Sequence, residues 1–159
     1  MGSRSKIDLA YIAGFLDGDG SLMLQLKKRS DTLKGFRIMT TICFYQDTRH
    51  EKPLHWIRQT LNIGYVTRRN DGMSELRING FGTVSKIMIE LLPFLRFKKI
   101  QAQKMIKACH LLMGKTLRKL SLSDRKAIAK YILAIQNENY VTKRKKSLKE
   151  IEKILDLTP

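Results

Sequence analysis

The sequence predicts an α+β domain, with helices covering one face of an antiparallel sheet in the order α-β-β-α-β-β-α followed by further helices. Three observations predict it. Two pairs of segments with alternating apolar and polar residues are each joined by a short polar stretch, as in two hairpins. Segments of helical period precede, separate and follow them. At 159 residues and 43% hydrophobic content the chain is long enough for one domain with its own core. No linker divides it and no internal repeat appears. The expected organisation is a single domain over 1–159, with a core of about 7–114 and a helical C-terminal extension of about 115–159.

The first helix is the apolar run in Leu9 to Ser21, LAYIAGFLDGDGS. Gly14 and Gly18 lie four residues apart on one face, where the lack of side chains lets another backbone approach closely. Asp17 and Asp19 stand at the helix C-terminus. The macrodipole is negative there, which costs an anion roughly 0.3–1 kcal/mol each. A bound cation would offset that cost.

Residues 21–28 alternate, with Leu22, Leu24 and Leu26 on one face and Met23, Gln25 and Lys27 on the other, a half-buried strand. Residues 30–35 are polar and read as a hairpin loop. Residues 36–45 alternate again, with Arg37, Met39, Thr41, Cys43 and Tyr45 facing away from the core. A helix then runs to about Leu61. Thr48 with Glu51 reads as a capping box and Pro53 as a first-turn residue, two competing starts. Residues 63–69 and 74–79 flank Asn70-Asp71-Gly72, a strong turn signal. Their outward face carries Tyr65, Thr67, Arg69, Glu75 and Arg77. Helices are expected over 83–92, stopped by Pro93; over 98–113, closed by Gly114; and over 123–137. The basic run 143–146 precedes a last helix started by Ser147 and Glu150, another capping box.

The charge narrows the function. With 31 Lys and Arg against 14 Asp and Glu, the net charge is +17, which points to a polyanion. No apolar run approaches the roughly 20 residues of a membrane span, and the start MGSRSKID lacks the apolar segment of a signal peptide, so no membrane partner is expected. The two cysteines form no disulfide framework or metal cluster. An intracellular setting is expected, with cytoplasm and organelle (chloroplast or mitochondrion) not distinguished. The outward sheet face is rich in Gln, Lys, Arg, Thr and Tyr. A twisted β-ribbon fits the major groove, and Arg, Lys and Gln read base edges there. A calcium loop is ruled out, since Leu22 and Lys28 stand where an EF-hand needs Gly and Glu. None of the three His residues has nucleophile or ligand company.

LAYIAGFLDGDGS resembles the LAGLIDADG motif of homing endonucleases. The two hairpins, the Pro93-Phe94-Leu95-Arg96-Phe97-Lys98-Lys99 segment and the basic composition follow in that family's order. The resemblance covers about Leu9 to Ala108 and contains one copy of the motif, as in the single-motif branch that acts as homodimers. It implies a site-specific double-strand DNA endonuclease. Tyr11, Gly14, Phe15 and Gly18 would pack against a symmetry mate, an isologous contact. Asp19, with the Gly18 carbonyl, would hold Mg²⁺, which takes few carboxylates and keeps waters; Mn²⁺ or Ca²⁺ would substitute for binding. Asp17 would have a structural or supporting role. Gln46 would orient the attacking water, and Lys98 would stabilise charge developing on the phosphate. Arg49 or His50 would supply a further basic residue. DNA contacts are expected from Gln25, Lys27, Arg37, Tyr65, Thr67, Arg69 and Arg77, with Met39 and Cys43 placed to meet thymine methyls. Such a dimer would cut one phosphodiester on each strand across the minor groove of a long, roughly palindromic site and leave 3′ overhangs. Two alternatives share the fold: an intron RNA maturase, with intron RNA as partner, and a non-catalytic DNA-binding regulator.

Overall fold

A computed structural model describes residues 4–31, 35–139 and 144–157. Helix α1 (Lys6–Asp19) runs without a linking loop into strand β1 (Gly20–Lys28). Then come β2 (Phe36–Asp47), a 3-10 turn (Thr48–His50), α2 (Lys52–Leu61), β3 (Tyr65–Arg68) and β4 (Met73–Asn79). Among the described residues there follow α3 (Phe81–Leu91), α4 (Lys99–Leu112), a second 3-10 turn (Leu117–Lys119), α5 (Leu122–Glu138) and α6 (Leu148–Ile154). The sheet is antiparallel throughout, in the order β1-β2-β4-β3. The expected elements are all present. Of the basic run, Lys143 lies outside the described residues.

Alternation decides which strand face is dry. Leu22, Leu24, Leu26, Ile38, Ile42, Phe44, Leu76 and Ile78 point inward and are buried. Helix α1 meets them with Leu9, Ile12, Ala13 and Leu16, the i, i+3, i+4, i+7 stripe of an amphipathic helix. Helices α2, α3, α4 and α5 complete the same core, and Ile151 of α6 joins it. The C-terminal helices are therefore packed into the main core. Asn139, just past α5, donates to the Leu22 carbonyl on edge strand β1 at 3.1 Å and accepts from buried Gln101 of α4 at 2.9 Å.

The start of α2 resolves the two competing signals. Pro53 occupies its first turn, where a missing N–H costs nothing. Thr48 and Glu51 form no capping box, because Asp47 caps the 3-10 turn by accepting from the Arg49 N–H. Glu51 instead bonds across to the second hairpin, accepting from Arg68 and Ser74. Those two partners, Arg68 foremost, hold its carboxyl down at about 2, against an ordinary 4.5. A depressed carboxylate stabilises fully above its unfolded pKa, and the gain is lost as pH falls through the folded one. Stability is therefore expected to decline between about pH 4.5 and pH 2. Glu51→Gln should flatten that limb in acid denaturation followed by circular dichroism.

Candidate active site and nucleic-acid interface

The turn from α1 into β1 is made possible by Gly20. A Cβ there would lie 2.8 Å from the Leu16 carbonyl oxygen and 2.9 Å from its Cα. Any side chain would therefore push strand and helix apart. This abrupt turn leaves Asp19 exposed at the helix end. Among the described residues its carboxylate has no hydrogen bond and no ion pair.

Asp17 is placed quite differently. Its carboxylate accepts from the backbone N–H groups of Arg96 (2.7 Å), Phe97 (3.2 Å) and Lys98 (2.9 Å), just before α4. The negative end of α1 and the positive end of α4 are thus joined through one side chain, and no cation is needed to offset Asp17. The sequence expectation of two uncompensated carboxylates is corrected to one, Asp19. Asp17→Ala would orphan three donors. It is expected to cost about 2 kcal/mol, the upper range for a lost cap, read as a melting temperature lower by about 4–8 °C.

The same joint sets Lys98. It occupies the N-cap position of α4, the expected unfavourable pole for a cation. Its Nζ, however, donates to the Asp17 carbonyl at 2.6 Å and so reaches the negative end of α1. Burial pushes the ammonium pKa down from 10.5, while the charges of Asp17 and Asp19 pull it back up. Lys98 and Asp19 therefore share one corner. Gln46 belongs to the same end of the sheet, since Gly20 pairs with Phe44 and Gln46 lies two residues further on. Its Oε1 accepts from the Asp47 N–H at 2.8 Å. Of the two basic loop residues, Arg49 is held by Asp47 at 2.8 Å, and His50 is exposed beside it. The structure brings Asp19, Gln46 and Lys98 to one end of the molecule.

A metal ion would find half a site here. Among the described residues no three His, Cys, Asp or Glu side chains converge. One chain offers the Asp19 carboxylate and the neighbouring Gly18 carbonyl. That set suits Mg²⁺, which uses one or two carboxylates together with waters and phosphate oxygens, once a second such set stands opposite.

Gly14 and Gly18 are exposed, and a Cβ built on either meets nothing within 4 Å. No internal packing asks for glycine at these positions. Ile7, 81% exposed, and Tyr11, 56% exposed, extend the same face of α1. Tyr11 also stands edge-on to Trp56, with ring centroids 5.4 Å apart. Phe15 is half-buried and tilts against Phe44 at 6.1 Å, so it faces the core more than this surface. Phe97, 83% exposed, lies next to Asp17, whose carboxylate accepts from its backbone N–H.

The outward sheet face carries the predicted residues. Gln25, Lys27 and Arg37 lie on the β1–β2 hairpin, Tyr65, Thr67, Arg69 and Arg77 on the second one. Lys27, Arg37, Tyr65, Thr67 and Arg69 are exposed, whereas Gln25 and Arg77 are half-buried. Tyr65 Oη accepts from Asn79 Nδ2 at 3.2 Å. Cys43 corrects its expectation. It is fully buried and its thiol lies 3.9 Å from Glu75, so the short side chain is roofed over and cannot meet a base. Burial pushes that thiol up to about 11. Met39 remains half-buried on the open face.

Comparison with known proteins places this arrangement. The family model described as LAGLIDADG endonuclease matches residues 12–110. The chain belongs to the LAGLIDADG endonuclease family. It is similar to the DNA endonuclease I-CvuI of Chlorella vulgaris, with 33% identity over 100 residues, 63% of this chain and 62% of that protein. It is also similar to the DNA endonuclease I-CreI of Chlamydomonas reinhardtii, with 29% identity over 103 residues, 65% of this chain and 63% of that one. The aligned stretch thus spans under two thirds of either relative. The fold extends further: the I-CvuI structure in complex with its target superposes with a TM-score of 0.84 at 26% identity, over 96% of this chain and 94% of that one. The stretch that resembles the LAGLIDADG motif lies in α1 and closes on Gly20, so the uncompensated carboxylate of Asp19 falls inside the matched residues 12–110.

Proposed function

We propose that the protein is a homodimeric, Mg²⁺-dependent, site-specific DNA endonuclease. The observation that carries this is the end of α1, where an unpaired carboxylate at Asp19 stands beside two glycines whose Cβ positions are open. A second copy packed on that face would bring the two Asp19 carboxylates together. I-CvuI and I-CreI are DNA endonucleases, and I-CvuI has been crystallised with DNA in the presence of Ca²⁺ and of Mg²⁺. The basic outward face of each sheet would follow the major groove of one half of a long, roughly palindromic target.

Each residue then has a task. Asp19 and the Gly18 carbonyl would hold Mg²⁺, which supplies charge stabilisation at the scissile phosphate and an activated water. Lys98, held at the α1 terminus by the Asp17 carbonyl, would bring positive charge to the phosphate as negative charge develops. Gln46 would orient the attacking water. Asp17 keeps Lys98 in place and takes no part itself. One phosphodiester on each strand would be cut across the minor groove, leaving 3′ overhangs.

Selection of cleaved sites from a randomised plasmid library in Mg²⁺ tests the reading. A single, roughly palindromic family of linearised sites is expected. Absence of any linearised product, or cleavage undiminished by chelator, would overturn it. Binding measured in Ca²⁺ should also weaken steeply with salt, because each neutralised phosphate contributes about −0.9 to the slope of log K against log salt.

A further inference from the structure

The outward sheet face holds an anion where a phosphate-binding surface has least use for one. Glu75 lies on β4, an interior strand, and is only 7% exposed. A carboxylate there repels DNA phosphates, so its burial needs a return. That return is the order it imposes on two cations. Arg77 donates from Nε to Oε1 at 2.6 Å and from Nη2 to Oε2 at 3.4 Å. Arg69 Nη1 lies 3.8 Å from Oε2, while its Nη2 bonds Asp71 at 2.7 Å.

The way Arg77 is gripped decides what it can do. Side-on engagement through Nε and Nη2 occupies one edge of the guanidinium. The terminal edge, with one N–H from each Nη, stays open as a fork. Register places Arg77 directly between Cys43 on β2 and Tyr65 on β3, which confines its swing on both sides. A fork so held matches the O6 and N7 acceptors of guanine in the major groove. Unpaired, the same side chain would spend its rotamer freedom on any nearby phosphate.

We propose that Glu75 is a positioning residue for sequence reading, whose buried carboxylate aims the terminal edge of Arg77 at one guanine in each half-site. The proposal rests on the DNA-binding reading above and adds a specificity determinant to it. Glu75 touches no DNA itself. It converts a cation that would bind phosphate anywhere into one that selects a base.

Binding-site selection from randomised duplex DNA in Ca²⁺, where cleavage does not intervene, tests it with wild type, Glu75→Gln and Arg77→Ala. Arg77→Ala should erase a guanine preference at one symmetric position. Glu75→Gln should flatten that same position, from discrimination of about tenfold or more to below about threefold, with the other positions unchanged. A merely structural ion pair would lower the melting temperature and leave relative base preferences where they were. Should Glu75→Gln not fold, Arg77→Lys, which keeps the charge and loses the fork, must flatten the same position. Preference retained in these variants, or flattening at a position that Arg77→Ala leaves intact, overturns the proposal. Failure of wild type to select any sequence would instead remove the DNA-binding reading, and this proposal with it.

Discussion

Asp19→Asn is expected to lower DNA cleavage by at least about 10³-fold, a loss of about 4 kcal/mol of transition-state stabilisation, and to leave the fold slightly more stable. Both signs come from one position. The carboxylate stands exposed at the negative end of α1 with no hydrogen bond or ion pair among the described residues. A neutral amide there removes an unfavourable dipole interaction of about 0.3–1 kcal/mol. In the proposed dimer the same change would strip the charged ligand from both halves of the metal site at once, since each subunit would supply one. Binding to target DNA in Ca²⁺ should persist within severalfold, because the sheet face is untouched. Single-turnover cleavage together with thermal melting checks the pair of effects. Cleavage by the variant at the wild-type rate would remove Asp19 from the chemistry.

Gly14→Ala should likewise raise stability and damage function. Gly14 lies inside α1 (Lys6–Asp19), and a Cβ there meets nothing within 4 Å. The monomer should gain about 0.5–1 kcal/mol, the usual advantage of alanine over glycine in a helix. At a two-fold interface the added methyl appears twice, facing its own copy. At about 1–3 kcal/mol for each overpacked site, association would weaken by about 30-fold to about 10⁴-fold. Melting below the dimer dissociation concentration should show a rise of about 1–4 °C. Sedimentation should show monomers at concentrations where the proposed wild-type dimer forms. An unchanged dimer would move the interface elsewhere on the molecule.

The alternation in residues 21–28 and 36–45 is local information, and it correctly placed Leu22, Ile42 and Phe44 inside. The Asn70-Asp71-Gly72 turn and the capping box at Ser147 and Glu150 were legible for the same reason. Where two local signals competed, at Thr48 and Pro53, only the partners of Glu51 across the second hairpin decided between them. The site was half legible. Spacing set Gly14 and Gly18 on one face, and the motif singled out Asp19. Gly20 closes the motif, but the reason for a glycine there is contact with Leu16 at a turn without a loop, which the chain alone does not show.

The two carboxylates of Asp17-Gly18-Asp19 separate what each level of description decides. As residues they are alike, two Asp at the wrong pole of a helix, and the sequence settled that negative charge accumulates there beside an apolar, glycine-bearing face. Which of them is free was settled by the chain path. The donors that satisfy Asp17 lie 79–81 residues away and reach it because α4 begins where α1 ends. Glu75 and Arg77 repeat the lesson on the sheet, where strand order turns a glutamate on a basic face into a buried anchor. Periodicity assigns a residue to a face, since it depends on near neighbours along the chain. Whether a charge on that face is spent or available depends on partners that only packing brings near.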